Sequence, residues 1–460
     1  MLVKTNLAAL ALAMTAIVSS CKLTPKETEK KESTSTAKLV DGHPDWIMQG
    51  NIYEVNVRQY TPEGTFKAFE QNLDRLKEMG VQTLWFMPIN PISKTDRKGV
   101  LGSYYAVADY TGINPEYGTI EDWKALVKHA HEMGLKVIID WVPNHTGADH
   151  PWLTSHPDFY VKDSVTGKPI SPFDWTDTRK LNYKNVALQD SMINSMKYWL
   201  TATDIDGFRC DVAGEVPDEF WTRCIADLKK TKDNIFMLAE TDKPSVHVDG
   251  FDASYPWSMF AMMTKVAKGQ RNATALDSVW HNMDSAYPKN ALKMWFTSNH
   301  DENSWNKADY GTMPGAIHAP FAVFTQTAPH GVPLIYSGQE GPFLDSVSFF
   351  YKDTIQFGAY GRAKFYKTLL ELRKSNPAFS ADASFKRISV GNDKALYAYV
   401  REKEGKKVLV ILNLSNKEEL VTVKDPALQG EPYNVFMYTK EPLKETPWKL
   451  EQWGYVIYTY

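Results

Sequence analysis

The sequence predicts an α/β fold: a (β/α)8 TIM barrel with a short inserted subdomain after its third strand, followed by a C-terminal antiparallel β-sandwich. Three observations lead there. From about residue 48, short β-branched or aromatic runs alternate with longer helical stretches, the signature of parallel βαβ units. Between the third strand and the third helix lies an excursion, residues 146–186, with Pro151, Pro157, Gly167, Pro169 and Pro172. A connection of that length inside a barrel reads as a small subdomain over one end of it. Past Pro377 the pattern changes to short alternating strands separated by turns such as Gly391-Asn392-Asp393, which suits a sandwich.

The barrel is expected from 42–145 and 187–377, with the sandwich at 378–460. Eight runs qualify as its strands: 52–57, 83–88, 136–141, 207–212, 235–239, 250–254, 294–297 and 332–336. Helical periodicity falls between them at 66–79, 120–133, 188–200, 217–230, 257–267 and 319–327, and again at 365–373. Gly80 and Gly134 each follow a helical run and suit a left-handed stop. Residues 302–318 read as irregular, so the seventh helix is not marked. Terminal strands are expected at 395–401, 407–413, 420–423, 433–437 and 454–460. The sequence shows neither an internal repeat nor a membrane-spanning run.

Composition narrows the function classes. A net charge of −3 with 43% hydrophobic residues lacks the basic bias of a phosphate-binding protein, so no nucleic-acid partner is expected. The 14 Trp and 23 Tyr suit a protein that offers flat apolar faces with polar edges to sugar rings.

Residues 1–20 read as an address. Lys4 supplies a positive start, residues 7–18 form an apolar run too short to span a bilayer, and Val18-Ser19-Ser20-Cys21 places small residues before a cysteine. The pattern resembles a bacterial lipoprotein signal, with Cys21 as the lipidated residue; an ordinary secretory signal is the alternative. The expected location is therefore the bacterial cell envelope, periplasmic or cell-surface, with a lipid anchor as the membrane contact. Residues 21–41, rich in Lys, Glu, Ser and Thr, read as a disordered tether. Of the other cysteines, Cys210 faces the helix layer where Cys224 is expected, as two buried thiols or, in an exported protein, a disulfide.

Three strand-like runs carry the chemistry. Gly207-Phe208-Arg209-Cys210-Asp211, Phe236-Met237-Leu238-Ala239-Glu240 and Phe296-Thr297-Ser298-Asn299-His300-Asp301 each end in a carboxylate with Arg or His nearby or with apolar residues before it. In a parallel barrel these are C-terminal strand ends, where catalytic groups gather. Retaining hydrolysis of an acetal needs a proton donor and a carboxylate nucleophile. Arg209, two residues from Asp211 on one strand face, is expected to keep Asp211 ionised, while desolvation and two negative neighbours favour a protonated Glu240.

The motifs Asp140-Trp141-Val142-Pro143-Asn144-His145, Gly207 to Asp211, Glu240 and Asn299-His300-Asp301, in that order, resemble glycoside hydrolase family 13, the α-amylase family, over roughly residues 46–460. The resemblance implies Asp211 as nucleophile, Glu240 as general acid/base and Asp301 as transition-state stabiliser. It implies substrate binding by His145 and His300, a tyrosine stacked on the sugar at Tyr105 rather than Tyr104, and Arg209 beside the substrate. Lys180-Leu181-Asn182-Tyr183 and the segment from Asp204 to Val216 resemble neopullulanases and cyclomaltodextrinases, although only the tether is expected before Gly42, in place of their N-terminal β domain. No cofactor is required. Calcium stays open: Asn144 is the candidate ligand, but Glu215 stands where many members have a histidine, and Ca²⁺ accepts oxygen ligands of either kind.

The expected activity is retaining hydrolysis of α-1,4 bonds in starch-derived glucans or maltooligosaccharides. A glucosyltransferase or isomerase on the same scaffold is the first competitor, separated by transfer products at high maltotriose. A non-catalytic glycan-binding lipoprotein is the second, and it has no use for all three carboxylates.

Overall fold

The structure, a computed structural model, describes residues 38–341 and 345–460. Cys21, the proposed signal and most of the proposed tether lie outside the described residues. Eight parallel strands close into a barrel in sequence order: β1 Ile52–Val55, β2 Thr83–Phe86, β3 Lys136–Trp141, β4 Gly207–Cys210, β5 Phe236–Ala239, β6 Ala253–Ser254, β7 Leu292–Trp295 and β8 Gly331–Tyr336. Their residues are buried on both faces, because helices cover the outside and side chains fill the inside.

Several expected boundaries move, each for a local reason. The helix expected over 66–79 is two helices, α1 Phe66–Glu70 and α2 Leu73–Met79. Between them the Asn72 amide donates to the carbonyls of Ala68 and Phe69, competing with the backbone ladder. β6 keeps only two residues of its expected five because Gly250 has φ 109°. β4 ends at Cys210, short of 212, since Val212 turns into the left-handed region at φ 35°. β7 begins at Leu292, two residues before its expected start.

Helices α3 Ile120–Glu132, α4 Val186–Thr203, α5 Asp218–Thr231, α6 Trp257–Ala267, α7 Ala275–Ala286, α8 His300–Asn306, α9 His318–Thr327 and α10 Ala363–Ser375 surround the barrel. Thr119 and Asp122 close a capping box at the start of α3, and Gly80 ends α2 in the left-handed conformation. α7 was not expected, although Leu276, Val279, Trp280 and Met283 bury one stripe of it. The stretch read as irregular holds α8 and a π-helical turn, Ala308–Thr312.

The inserted subdomain pairs His145–Gly147 with Thr178–Lys180 in antiparallel register. The C-terminal domain has a six-stranded sheet, with β9 Ser384–Ile388, β10 Leu396–Lys403, β11 Lys406–Asn413, β13 Tyr433–Asn434, β14 Thr439–Lys440 and β16 Tyr455–Thr459 in the order β9-β10-β11-β16-β13-β14. A two-stranded sheet of β12 Glu419–Val421 and β15 Trp448–Leu450 faces it. Alternation along β10 and β11 divides their side chains. Leu396, Ala398, Leu409 and Ile411 pack toward the small sheet, while Tyr397, Tyr399, Val408 and Val410 join the core shared with the barrel.

Candidate active site

The C-terminal strand ends converge on Arg209, the inward-facing residue of β4, whose side chain is fully buried. Its Nη1 donates to Asp140 Oδ1 at 2.8 Å and to Asp211 Oδ1 at 3.0 Å. Nη2 lies 2.9 Å from Glu240 Oε2, and Nε donates to the Tyr255 hydroxyl at 3.1 Å. The rings of Trp85, Tyr105 and Tyr255 surround the guanidinium. A planar cation with a fixed fork of donors is suited to hold several carboxylates in one geometry. Arg209 was expected beside the substrate; the structure instead places it beneath the carboxylates, where it positions them.

The turn after β4 adds a second constraint. Val212 adopts φ 35°, ψ 45°, an uncommon conformation for a β-branched residue, and its N–H donates to Glu240 Oε2 at 2.8 Å. The same short segment therefore supplies Asp211 and aims the adjacent amide at Glu240.

Burial, and next the charge of Glu240, push the Asp211 carboxyl well above the usual carboxylate range, against the pull of Arg209. Burial likewise lifts Asp140 to about 6, with Arg209 opposing. The expectation that Arg209 singles out Asp211 as the anion is corrected here: the guanidinium contacts Asp211 and Glu240 alike. Asp211 and Glu240 therefore share one cation in a site largely withdrawn from water.

A second buried chain supports Asp301. Glu54 on β1 meets His300 Nδ1 at 2.5 Å, His300 Nε2 meets the Tyr105 hydroxyl at 2.7 Å, and Tyr105 donates to Asp140 Oδ2 at 3.1 Å. His300 Nε2 is also 3.4 Å from Asp301 Oδ2. Desolvation disfavours the imidazolium, but the charges of Asp301 and Glu54 outweigh it and raise His300 to about 9. Both of its nitrogens are engaged within the protein, Nδ1 with Glu54 and Nε2 with Tyr105. His145 is the opposite case. Burial lowers it to about 3, and its Nε2 has no hydrogen-bond partner among the described residues.

These groups floor a cavity of about 500 Å³ whose lining includes Tyr105, His145, Asp211, Glu240 and Asp301. Tyr105 lines it while Tyr104, fully buried, bonds Asn56 instead. Trp175 from the inserted subdomain forms one wall; Trp305, Phe349 and Phe350 form another. A smaller groove, of about 390 Å³, lies between α10 and the C-terminal domain, away from this chemistry. Cys210 and Cys224 are both free and buried, without the disulfide that was the alternative.

Asn144, the candidate calcium ligand, directly precedes the His145–Gly147 strand of the inserted subdomain. Its side-chain amide lies 3.3 Å from His145 Nδ1, its backbone carbonyl accepts from Leu181, and Glu215 is exposed. Among the described residues, no three or more His, Cys, Asp or Glu converge as a metal site.

The sequence reading missed Glu54, Tyr255, Trp175 and Trp305. A carboxylate at an inward position of the apolar run Ile-Tyr-Glu-Val was a legible signal for Glu54, since an unpaired charge has no place in a barrel core. Nothing in the sequence marks which aromatics of the long loops turn inward.

The fold and this constellation define a glycoside hydrolase of the TIM-barrel class. The chain belongs to the α-amylase catalytic-domain family, which matches residues 32–349. It is 30% identical to alpha-amylase MalA of Haloarcula japonica over 84% of this chain and 58% of that protein. It is 25% identical to a cyclomaltodextrinase of Thermoanaerobacter pseudethanolicus, over 79% of this chain and 65% of that one. The chain thus spans less than two thirds of either relative. Among solved structures, a maltogenic alpha-amylase, AmyB, from Thermotoga neapolitana superposes with a TM-score of 0.82 at 28% identity, covering 90% of this chain and 99% of that one.

Proposed function

We propose that this chain hydrolyses α-1,4-glucosidic bonds of starch-derived glucans or maltooligosaccharides with retention of configuration. The observation that carries the reading is Arg209 joining Asp211 and Glu240 through adjacent nitrogens on the floor of a sugar-sized cavity. A retaining pair must stand close, because an inverting pair leaves a wider gap for water. With the proton on Glu240, Asp211 is the anion that attacks the anomeric carbon while Glu240 protonates the leaving oxygen. Water then enters, and Glu240, now ionised, takes its proton. Asp301, partly exposed beside the imidazolium of His300, faces the positive charge that develops on the sugar ring.

The test is a product profile on amylose, pullulan, cyclodextrin and maltotriose. Reducing-sugar release that exceeds transfer products at high maltotriose supports hydrolysis. Dominant transfer products would favour the glucosyltransferase reading, and the absence of any turnover would refute both.

The envelope location rests on residues 1–21 alone. Among the described residues no helix is long and apolar enough to cross a membrane, and lipidation of Cys21 is proposed from the sequence pattern. Metabolic labelling with a fatty-acid analogue should mark the wild-type chain and spare Cys21→Ala.

A further inference from the structure

Residues 94–101 tie the two aromatic walls of the cavity into one. On the subdomain side, Arg179 pairs with Asp96 at 2.5 Å, and Asp149 Oδ2 accepts from the Lys94 and Thr95 N–H groups at 2.7 and 3.1 Å. Lys98 Nζ donates to the Asp174 carbonyl at 3.4 Å. On the other side, the Leu101 N–H donates to the Phe350 carbonyl at 3.0 Å. Gly99, at φ 64°, approaches so closely that a Cβ there would lie 2.5 Å from Phe350 Cβ. The segment after β8 is fastened in turn to α8: Ser304 Oγ donates to the Val347 carbonyl and the Val347 N–H donates to Asn303 Oδ1, both at 2.8 Å, while Trp305 packs on Phe349 and Phe350. The wall thus runs from the inserted subdomain to α8.

The opposite side is low. The connections after β4, β5 and β6 span only 211–217, 240–252 and 255–256, whereas those after β2 and β3 reach over 87–119 and 142–185. In barrel order β5 stands across from β1, which β8 and β2 flank. Glu240, at the end of β5, is therefore on the open side, while Tyr105 and Asp301 come from the connections after β2 and β7, on the walled side. A general acid marks the side of the leaving group. In an α-glucan the leaving part carries the reducing end, so the units toward the non-reducing end have to fit under the wall. A cavity of about 500 Å³ is of the size that encloses one small ligand, and a polymer cannot thread past segments bonded to one another.

We propose that this chain attacks α-glucans from their ends: the wall of residues 94–101, 347–350 and α8 admits only the non-reducing terminus, and each cleavage releases glucose or maltose. This rests on the proposed α-glucan reading and adds the mode of attack.

The test compares two maltoheptaose derivatives with a chromophore at the reducing end, one with a free non-reducing end and one with that end blocked as a cyclic acetal, by chromatography of the labelled products. The kcat/KM of the blocked substrate should be lower by roughly hundredfold or more. Amylose should yield glucose or maltose from the first minutes, while its iodine colour falls slowly. Asp96→Ala combined with Asp149→Ala, which unfastens the 94–101 loop and leaves the residues lining the cavity in place, should narrow the gap between the two substrates; thermal unfolding shows that the variant is folded, and Asp96→Asn alone is the milder form. Similar rates on blocked and free substrates, or long fragments among the first products from amylose, would overturn attack from the ends and leave the α-glucan reading standing. A gap unchanged in the folded variant would overturn the wall as its cause. Turnover of neither substrate would refute the α-glucan reading itself, and attack from the ends with it.

Discussion

Replacing Glu54 with Gln removes one charge from a fully buried pair and tests whether that charge sets the state of His300. The two side chains meet at 2.5 Å. His300 is raised from 6.5 to about 9 despite complete burial, with Asp301 and then Glu54 as the charges responsible. At about 1.4 kcal/mol per pKa unit, that rise corresponds to roughly 3 kcal/mol of preference for the imidazolium. Because the folded value lies above the unfolded one, this contribution is fully present below about pH 6.5 and is lost as pH rises through about 9. His145 and His318, buried alike but without such a carboxylate pair, sit near 3. Glu54→Gln should therefore move His300 well below 9 and leave it largely neutral at pH 7. Histidine-selective NMR titration, with the resonance assigned from His300→Gln, reads the shift directly. The stability gap between wild type and variant should be Glu54's share of that, at most about 3 kcal/mol at pH 6, and should narrow as pH rises through about 9. The catalytic efficiency at pH 7 should fall about tenfold to hundredfold, as Tyr105 and Asp301 lose a charged partner. A His300 that still titrates near 9 in Glu54→Gln would refute the reasoning.

Three further outcomes follow from the same geometry. Glu240→Gln should lower turnover of maltotriose by about 10²–10⁴-fold, the range for removing a general acid/base, measured as reducing-sugar release. Arg209→Met should cost about 3–5 kcal/mol of stability in chemical denaturation, because it leaves buried carboxylates without their cation. Cys210 and Cys224, whose thiols burial pushes well above their ordinary range, should resist alkylation in the native protein and react after denaturation, as peptide mapping would show.

Legibility followed the physics of each element. The barrel strands were visible because strands covered on both faces become continuous apolar runs, and β3 falls on residues 136–141 as expected. Asp211, Glu240 and Asp301 were visible because strand ends collect the chemistry of a parallel barrel, and all three line one cavity. Element ends were less visible, since they depend on single conformations such as Val212 at φ 35°. α8 was missed because its sequence, His-Asp-Glu-Asn-Ser-Trp-Asn, has no apolar stripe; the Asn299 side chain, accepting from the Glu302 N–H, caps it instead. The protein contacts of Arg209 and His300 were not legible for a shared reason. Sequence shows which groups are near a carboxylate, whereas partners from β1 and β3, hundreds or tens of residues away, decide whether a nitrogen is left over for sugar.

The most direct measurement traps the covalent intermediate. A fluorinated α-glucosyl fluoride that forms the glycosyl-enzyme quickly and loses it slowly should leave one sugar on the chain, and peptide mass spectrometry should place that sugar on Asp211. A sugar found on Glu240 or Asp301, or hydrolysis that releases the inverted anomer with no adduct, would contradict the arrangement of nucleophile and acid around Arg209.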